Sequence, residues 1–177
     1  MPSDVSWQYA VMARVLTVSD SIVVSATPEE VYDNVSDPTR MGRWSPENRG
    51  ATVSGGSQPT HVGMEFVGRN KRGRSRWVTR CIVTAADRGE RFEFRVVQIG
   101  ARKPRISGQI ATWEYRFEPV DGGTRVTETW TDGRVNWPTP AANAFDWVVT
   151  SGKTFAEFQR RNIRKTLHNL AKAFEPA

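Results

Sequence analysis

One cysteine, Cys81, and two histidines, His61 and His168, are all that this 177-residue chain offers of the softer metal and redox ligands. A lone thiol closes no internal disulfide. Met1–Trp7 has neither a charged n-region nor an apolar h-region, so the chain is expected to work in a reducing cytoplasm. Neither histidine has Asp, Glu or Cys clustered beside it, which argues against a metal centre. No P-loop, dinucleotide fingerprint or nucleophile elbow is present, so no cofactor is expected. No uncharged apolar run approaches the roughly 18 residues of a membrane-spanning helix. Internal repeats and low-complexity blocks are missing as well.

What is present is enough for a core. Apolar residues make up 38% of the chain and aromatic rings 10%. A chain of this length buries about 70% of its unfolded surface without staples. The formal charge of +6 invites acidic partners. Solvated outer faces of arginine-rich strands produce the same balance, so no nucleic-acid partner is expected on charge alone.

Patterning gives the order of elements. Residues 14–26 alternate and are β-branched, as in an opening strand. Thr27-Pro28-Glu29-Glu30 combines an N-cap, a first-turn proline and two acids at the positive end of a short helix. Asp37-Pro38 starts a second short helix, which Ser45-Pro46 stops. After a Gly/Ser/Pro loop at 54–59, alternating segments follow between turn signals. They place Met64 and Phe66, then Trp77 and Cys81, then Phe92 and Phe94 on inward faces. The same alternation turns Trp113, Tyr115 and Phe117 inward, and then Val126, Glu128, Trp130 and Asp132. Residues 133–152 read as a loop with a short helix near 141–149. Residues 151–174 carry the strongest helical stripe, with Ala156, Ile163, Leu167, Leu170 and Phe174 on one arc.

These stripes describe an α+β domain over 14–177, preceded by an N-terminal extension at 1–13. A curved antiparallel sheet of six to seven strands needs a cover, and the long C-terminal helix is the only long amphipathic element. The two short helices after strand one plug an end of the sheet.

Two phrases, Ala26-Thr27-Pro28-Glu29-Glu30-Val31-Tyr32 and Asp37-Pro38-Thr39-Arg40-Met41-Gly42-Arg43-Trp44-Ser45-Pro46-Glu47, carry a family resemblance. Trp113-Glu114-Tyr115-Arg116-Phe117-Glu118-Pro119 and Gly122-Gly123-Thr124-Arg125-Val126-Thr127-Glu128 extend it. With this element order, the chain resembles the START-like helix-grip superfamily SRPBCC, nearest its polyketide cyclase/dehydrase branch of actinobacterial type. The likeness runs from about Val18 to Phe174 and implies a helix-grip fold. Members include lipid and isoprenoid carriers, hormone receptors, chaperone activators and aromatic cyclases, so the motifs imply the fold more than any one activity.

The resemblance turns the inward aromatic set into candidate ligand contacts: Met64, Phe66, Trp77, Phe92, Phe94, Trp113 and Trp130, with Trp44 near the pocket mouth. Each ring taken singly reads equally as core packing. Glu128, between Val126 and Trp130, is a carboxylate on an apolar face and must be hydrogen-bonded, paired or raised in pKa. It is the candidate catalytic base or polar handle, and Tyr115 is a second candidate whose hydroxyl would face a carbonyl in the same cavity. The plain alternatives are a salt bridge or a rim position for Glu128 and a backbone bond for Tyr115.

The leading expectation is binding or transport of a small hydrophobic or aromatic molecule (polyketide, lipid or isoprenoid) between sheet and helix. A polyketide cyclase/dehydratase using the inward carboxylate is the alternative, and a basic interaction module without ligand is the third. The hairpin 69–76 has five basic residues in eight and reads as a solvated turn. Residues 1–12 with Phe155 and Phe158, off the main stripe, fit either a homodimer contact or packing under the 133–152 loop.

Overall fold

The computed structural model describes residues 14–56, 58–150 and 154–175. Seven strands, all paired antiparallel, form one sheet: β1 Thr17–Val24, β2 Asn48–Val53, β3 Glu65–Arg72, β4 Ser75–Asp87, β5 Arg91–Gly100, β6 Ile106–Val120 and β7 Gly123–Asp132. Their spatial order is β1-β7-β6-β5-β4-β3-β2, so β3 to β7 form a meander and β1 closes beside its last strand. Strand β2 is an addition to the sequence reading. Its NRGATV has little alternation and carries a bulge between Asn48 and Ala51, so it left no period-2 signal.

Three α-helices flank the sheet: α1 Pro28–Val35, α2 Thr139–Thr150 and α3 Phe155–Ala173. A 3-10 helix, Pro38–Arg43, follows α1. The Thr27 and Asp37 caps are where the sequence puts them, and Thr154 is a further one. Thr27 and Glu30 form a reciprocal capping box on α1, and Thr154 with Glu157 does the same for α3. Asp37 accepts from the Thr39 N–H to start the 3-10 helix. The final helix begins at Phe155 rather than 151, because Thr154 supplies the cap. The short helix expected near 141–149 is a full three turns.

Ile163, Leu167 and Leu170 of α3 are buried against the sheet over β1 and β7. Helix α1 packs over β5, β6 and β7, and the 3-10 helix packs on β2. One turn depends on glycine. Gly123, at φ +143°, lies so close to β1 that any side chain would run into the Val24 carbonyl. Among the described residues, no helix is long and apolar enough to cross a membrane.

Candidate functional site

The inner face of the sheet is organised in cross-strand rows. Register pairs Phe92 with Tyr115, Tyr115 with Glu128, and Glu128 with Asp20, so these four side chains leave the same face in one line. Phe94, Trp113 and Trp130 form the next line. Phe92 stacks on Tyr115 at 6.3 Å within the first line and meets Phe94 of the second at 5.7 Å, and Phe66 of β3 lies edge-on to Phe94 at 5.3 Å.

Within this aromatic surround the two polar candidates, Tyr115 and Glu128, meet each other. The Tyr115 hydroxyl donates to Glu128 Oε1 at 2.7 Å. Glu128 is 2% exposed, and its second oxygen, Oε2, is buried with no hydrogen-bond partner. Burial lifts the Glu128 pKa to about 8, against which the single bond from Tyr115 is too weak an offset. Burial first, and then the neighbouring carboxylate, raises Tyr115 well above its usual value. Glu128 is therefore predominantly protonated at neutral pH. Oε1 already accepts from Tyr115, so the proton belongs on Oε2, and the site presents an O–H donor to the interior. Neither the salt bridge nor the rim position holds for Glu128, and Tyr115 bonds a carboxyl rather than backbone.

The aromatic candidates divide by burial. Phe66, Phe92, Phe94 and Trp130 are buried in the core. Trp44 is 2% exposed; its carbonyl accepts from Asn169 Nδ2 at 2.8 Å, which ties the 3-10 helix to α3. Trp77 and Trp113 are only half-buried, although both lie on inward-alternating positions. Trp113 is one inner-face step, roughly 7 Å, from Tyr115 along β6. Solvent thus reaches the inner face close to the Tyr115–Glu128 pair.

A cavity of about 650 Å³ lies elsewhere, between α1, the 3-10 helix and the segment joining β2 to β3. Its floor includes Tyr32, Val53, Met64 and Ala86, and its rim includes Asp33 and Arg88. Of the candidate ligand contacts, Met64 lines it.

Sequence reasoning did not single out a second buried polar cluster. Arg134 binds Asp132 through both Nε and Nη2, at 2.9 and 2.8 Å, and reaches Asp146 Oδ1 through Nη1 at 2.8 Å. Arg14 Nη2 donates to Asp132 Oδ2 at 2.6 Å. Burial would raise Asp132, but the Arg134 and Arg14 bonds prevail and hold it below the usual carboxylate range. The guanidinium of Arg134 also sits over Phe155, which itself stacks on Trp130 at 6.1 Å. Asp132, on an inward position of the last strand, was the one sequence signal for this cluster. A third carboxyl, Glu47, accepts from Asn162 at 3.0 Å and has Arg72 at 3.8 Å; burial raises its pKa.

Phe155 and Phe158 are part-buried rather than exposed. Phe155 is held as above, and Phe158 lies under the Arg72 guanidinium at 4.3 Å. His61 lies in a loop beside the Pro59 carbonyl, and His168 is exposed on α3. Residues 1–13 lie outside the described part of the structure. Cys81 is buried, and that burial pushes its thiol up to about 12.

Comparison with known proteins matches residues 15–175 to the family model described as polyketide cyclase / dehydrase and lipid transport. Among solved structures, the chain is similar to the polyketide-cyclase-like protein Cgl2372 of Corynebacterium glutamicum, at 30% identity and TM-score 0.55, covering 92% of this chain and 93% of that one. Protein Ms6760 of Mycobacterium smegmatis is similar at 17% identity and TM-score 0.64, covering 92% of each chain. The di-domain ARO/CYC StfQ from the steffimycin biosynthetic pathway is similar at 17% identity and TM-score 0.64, covering 90% of this chain and 50% of that one. The two at 17% show the fold alone. No match was found among curated proteins.

Proposed function

The chain belongs to the polyketide cyclase / dehydrase and lipid transport family, and from that premise we propose that it binds a small, largely hydrophobic molecule between the sheet and α3, with Glu128 as its polar contact. The observation that carries this reading is the unpartnered Oε2 of Glu128 in a 2%-exposed site. A native interior rarely leaves such an atom unsatisfied, because the loss of hydration costs about 1–3 kcal/mol. A ligand carbonyl or hydroxyl oxygen accepting from Oε2–H removes that cost. The flat rings of Phe92, Trp113 and Trp130 suit an aromatic or isoprenoid body. Residues 14–177 act in this reading as one ligand-binding domain.

The Tyr115–Glu128 pair also favours a second reading, a cyclase or dehydratase. A neutral acid beside a bound carbonyl donates its proton as that oxygen becomes an alcohol, and Tyr115 holds the resulting carboxylate. The matching base must take a proton from the attacking carbon; the carboxylate beside Glu128 in register, Asp20, is instead ion-paired with Arg164 at 3.1 Å. Binding is therefore the first reading.

Tryptophan fluorescence tests it. The protein is titrated with a flat aromatic polyketide, a fatty acid and an isoprenoid quinone, alongside the Trp113→Leu and Glu128→Leu variants. One class is expected to quench saturably, with the response lost in Trp113→Leu and affinity about threefold to tenfold weaker in Glu128→Leu. Equal affinity in Glu128→Leu, or no response from all three classes, would sink the proposal.

A further inference from the structure

Charge is distributed unevenly along the sheet. The turns β4–β5 and β6–β7 and the start of α1 share one end, which carries exposed Glu29, Asp87, Glu90 and Asp121. The opposite end is formed by the β3–β4 tip, the β5–β6 loop and the segment after β7. Exposed Arg74 and Arg76 stand on the first, and exposed Arg102, Lys103 and Arg105 on the second. None of these five takes part in an ion pair among the described residues.

The same end groups four exposed large apolar side chains, while Val62 and Val23, 63% and 47% exposed, stand apart from them in the β2–β3 segment and near the end of β1. Ile106 is 62% exposed, Val135 59%, Trp137 40% and Trp147, on α2, 68%. The acids here are not free to offset the cations: Asp132 and Asp146 are buried in the Arg134 cluster, and Glu157 closes the cap of α3. Aliphatic and indole side chains projecting beside unpaired cations match the boundary of an anionic bilayer. Indoles lodge at the headgroup level, and cations meet lipid phosphates. A polynucleotide would use the cations but gain little from Ile106 and Val135. A second copy of this chain would bring like charges together.

We propose that this end of the sheet docks on an anionic lipid surface, with Trp137 and Trp147 inserted at the headgroups and the two hairpin tips on phosphates. The half-buried Trp77 and Trp113 lie toward the same end, so the docked face is the one through which solvent reaches the inner sheet.

The test is co-sedimentation of the full chain with phosphatidylcholine vesicles, with and without phosphatidylglycerol, at low and physiological salt. Binding is expected only with phosphatidylglycerol and is expected to weaken with salt. Each cation removed in Arg102→Ala and Lys103→Ala lowers the partition coefficient about fivefold. Trp147→Ala lowers it with the salt dependence unchanged. Circular dichroism and melting of these surface variants are expected to match the parent, so a loss reads as lost docking. Equal binding to both vesicle types, or none, overturns the proposal. Binding of a fluorescent oligonucleotide without vesicle binding reassigns the cations to nucleic acid. A dimer in size-exclusion chromatography that dissociates on Trp147→Ala gives the apolar patch to a second copy. Either result overturns it too.

Discussion

Tyr115 and Glu128 stand opposite each other on β6 and β7, joined by a 2.7 Å hydrogen bond that satisfies one carboxyl oxygen and leaves the other bare. In the row that runs from Asp20 to Phe92 the pair forms the buried polar contact, with Val126 and Trp130 on either side of Glu128 along β7.

Stability is expected to fall as pH rises through the range set by Glu128. Unfolded, the group ionises near 4.5; folded, burial moves it to about 8. Below the lower value both states hold the proton and no penalty exists. Between the two the unfolded chain releases it first, so the folded state loses about 1.4 kcal/mol per pH unit, levelling off above about pH 8. Glu128→Gln removes this slope. Thermal melts are expected to put the variant near the parent at about pH 5 and clearly above it at about pH 9.

Tyr115→Phe leaves both Glu128 oxygens without a protein donor. The expected cost is about 1–3 kcal/mol at neutral pH. The group, losing the bond that lowers its pKa, should titrate higher still. Urea unfolding and a carboxyl-labelled NMR titration check the two effects.

The Arg134 cluster should behave as a buried ion-pair unit. Arg134→Met takes the shared guanidinium from two buried carboxylates, leaving Asp132 with Arg14 as its cation, and is expected to cost about 3–5 kcal/mol. A double-mutant cycle with Asp146→Asn should show strong coupling, because the first change already removes what the second would lose. Additive losses would contradict the 2.8 Å bond between the two side chains.

Gly123→Ala is expected to be among the costliest single-methyl additions in the chain. The new side chain meets the Val24 carbonyl at a φ of +143° that L-residues avoid. Steric conflict with strand β1 adds to the backbone strain of about 1–3 kcal/mol. Chemical denaturation measures it, with Gly122→Ala as a comparison: φ is +85° there and the space is open.

Cys81 should resist thiol reagents in the native state. Its burial and a pKa of about 12 leave almost no thiolate at neutral pH. A coloured disulfide reagent should react only at the rate of unfolding, and rapid labelling in buffer would contradict the packing.

The amino-acid sequence alone determined the order of the elements other than β2, the inward rings and the starts of the two helices that follow β1. Phe92 and Phe94 alternate with Glu93 and Arg95, and Thr27-Pro28-Glu29-Glu30 carries its own cap, so local spacing suffices for them. Glu128 was legible for the same reason, as an acid at an apolar position. Its partner was not, because Tyr115 lies across a turn and only the β6–β7 register places the two side by side. Asp132 meets Arg134 locally, two residues on, but only tertiary packing brought Arg14 to Asp132 and, through the docking of α2, Asp146 to the same guanidinium. The basic and aromatic end has the same origin: its residues come from four separate segments. Their charge and polarity are written in the chain, but the antiparallel meander puts them on one surface. Contacts within a turn of helix or a single strand follow from spacing; contacts between strands follow from a register fixed by burying the whole inner face at once.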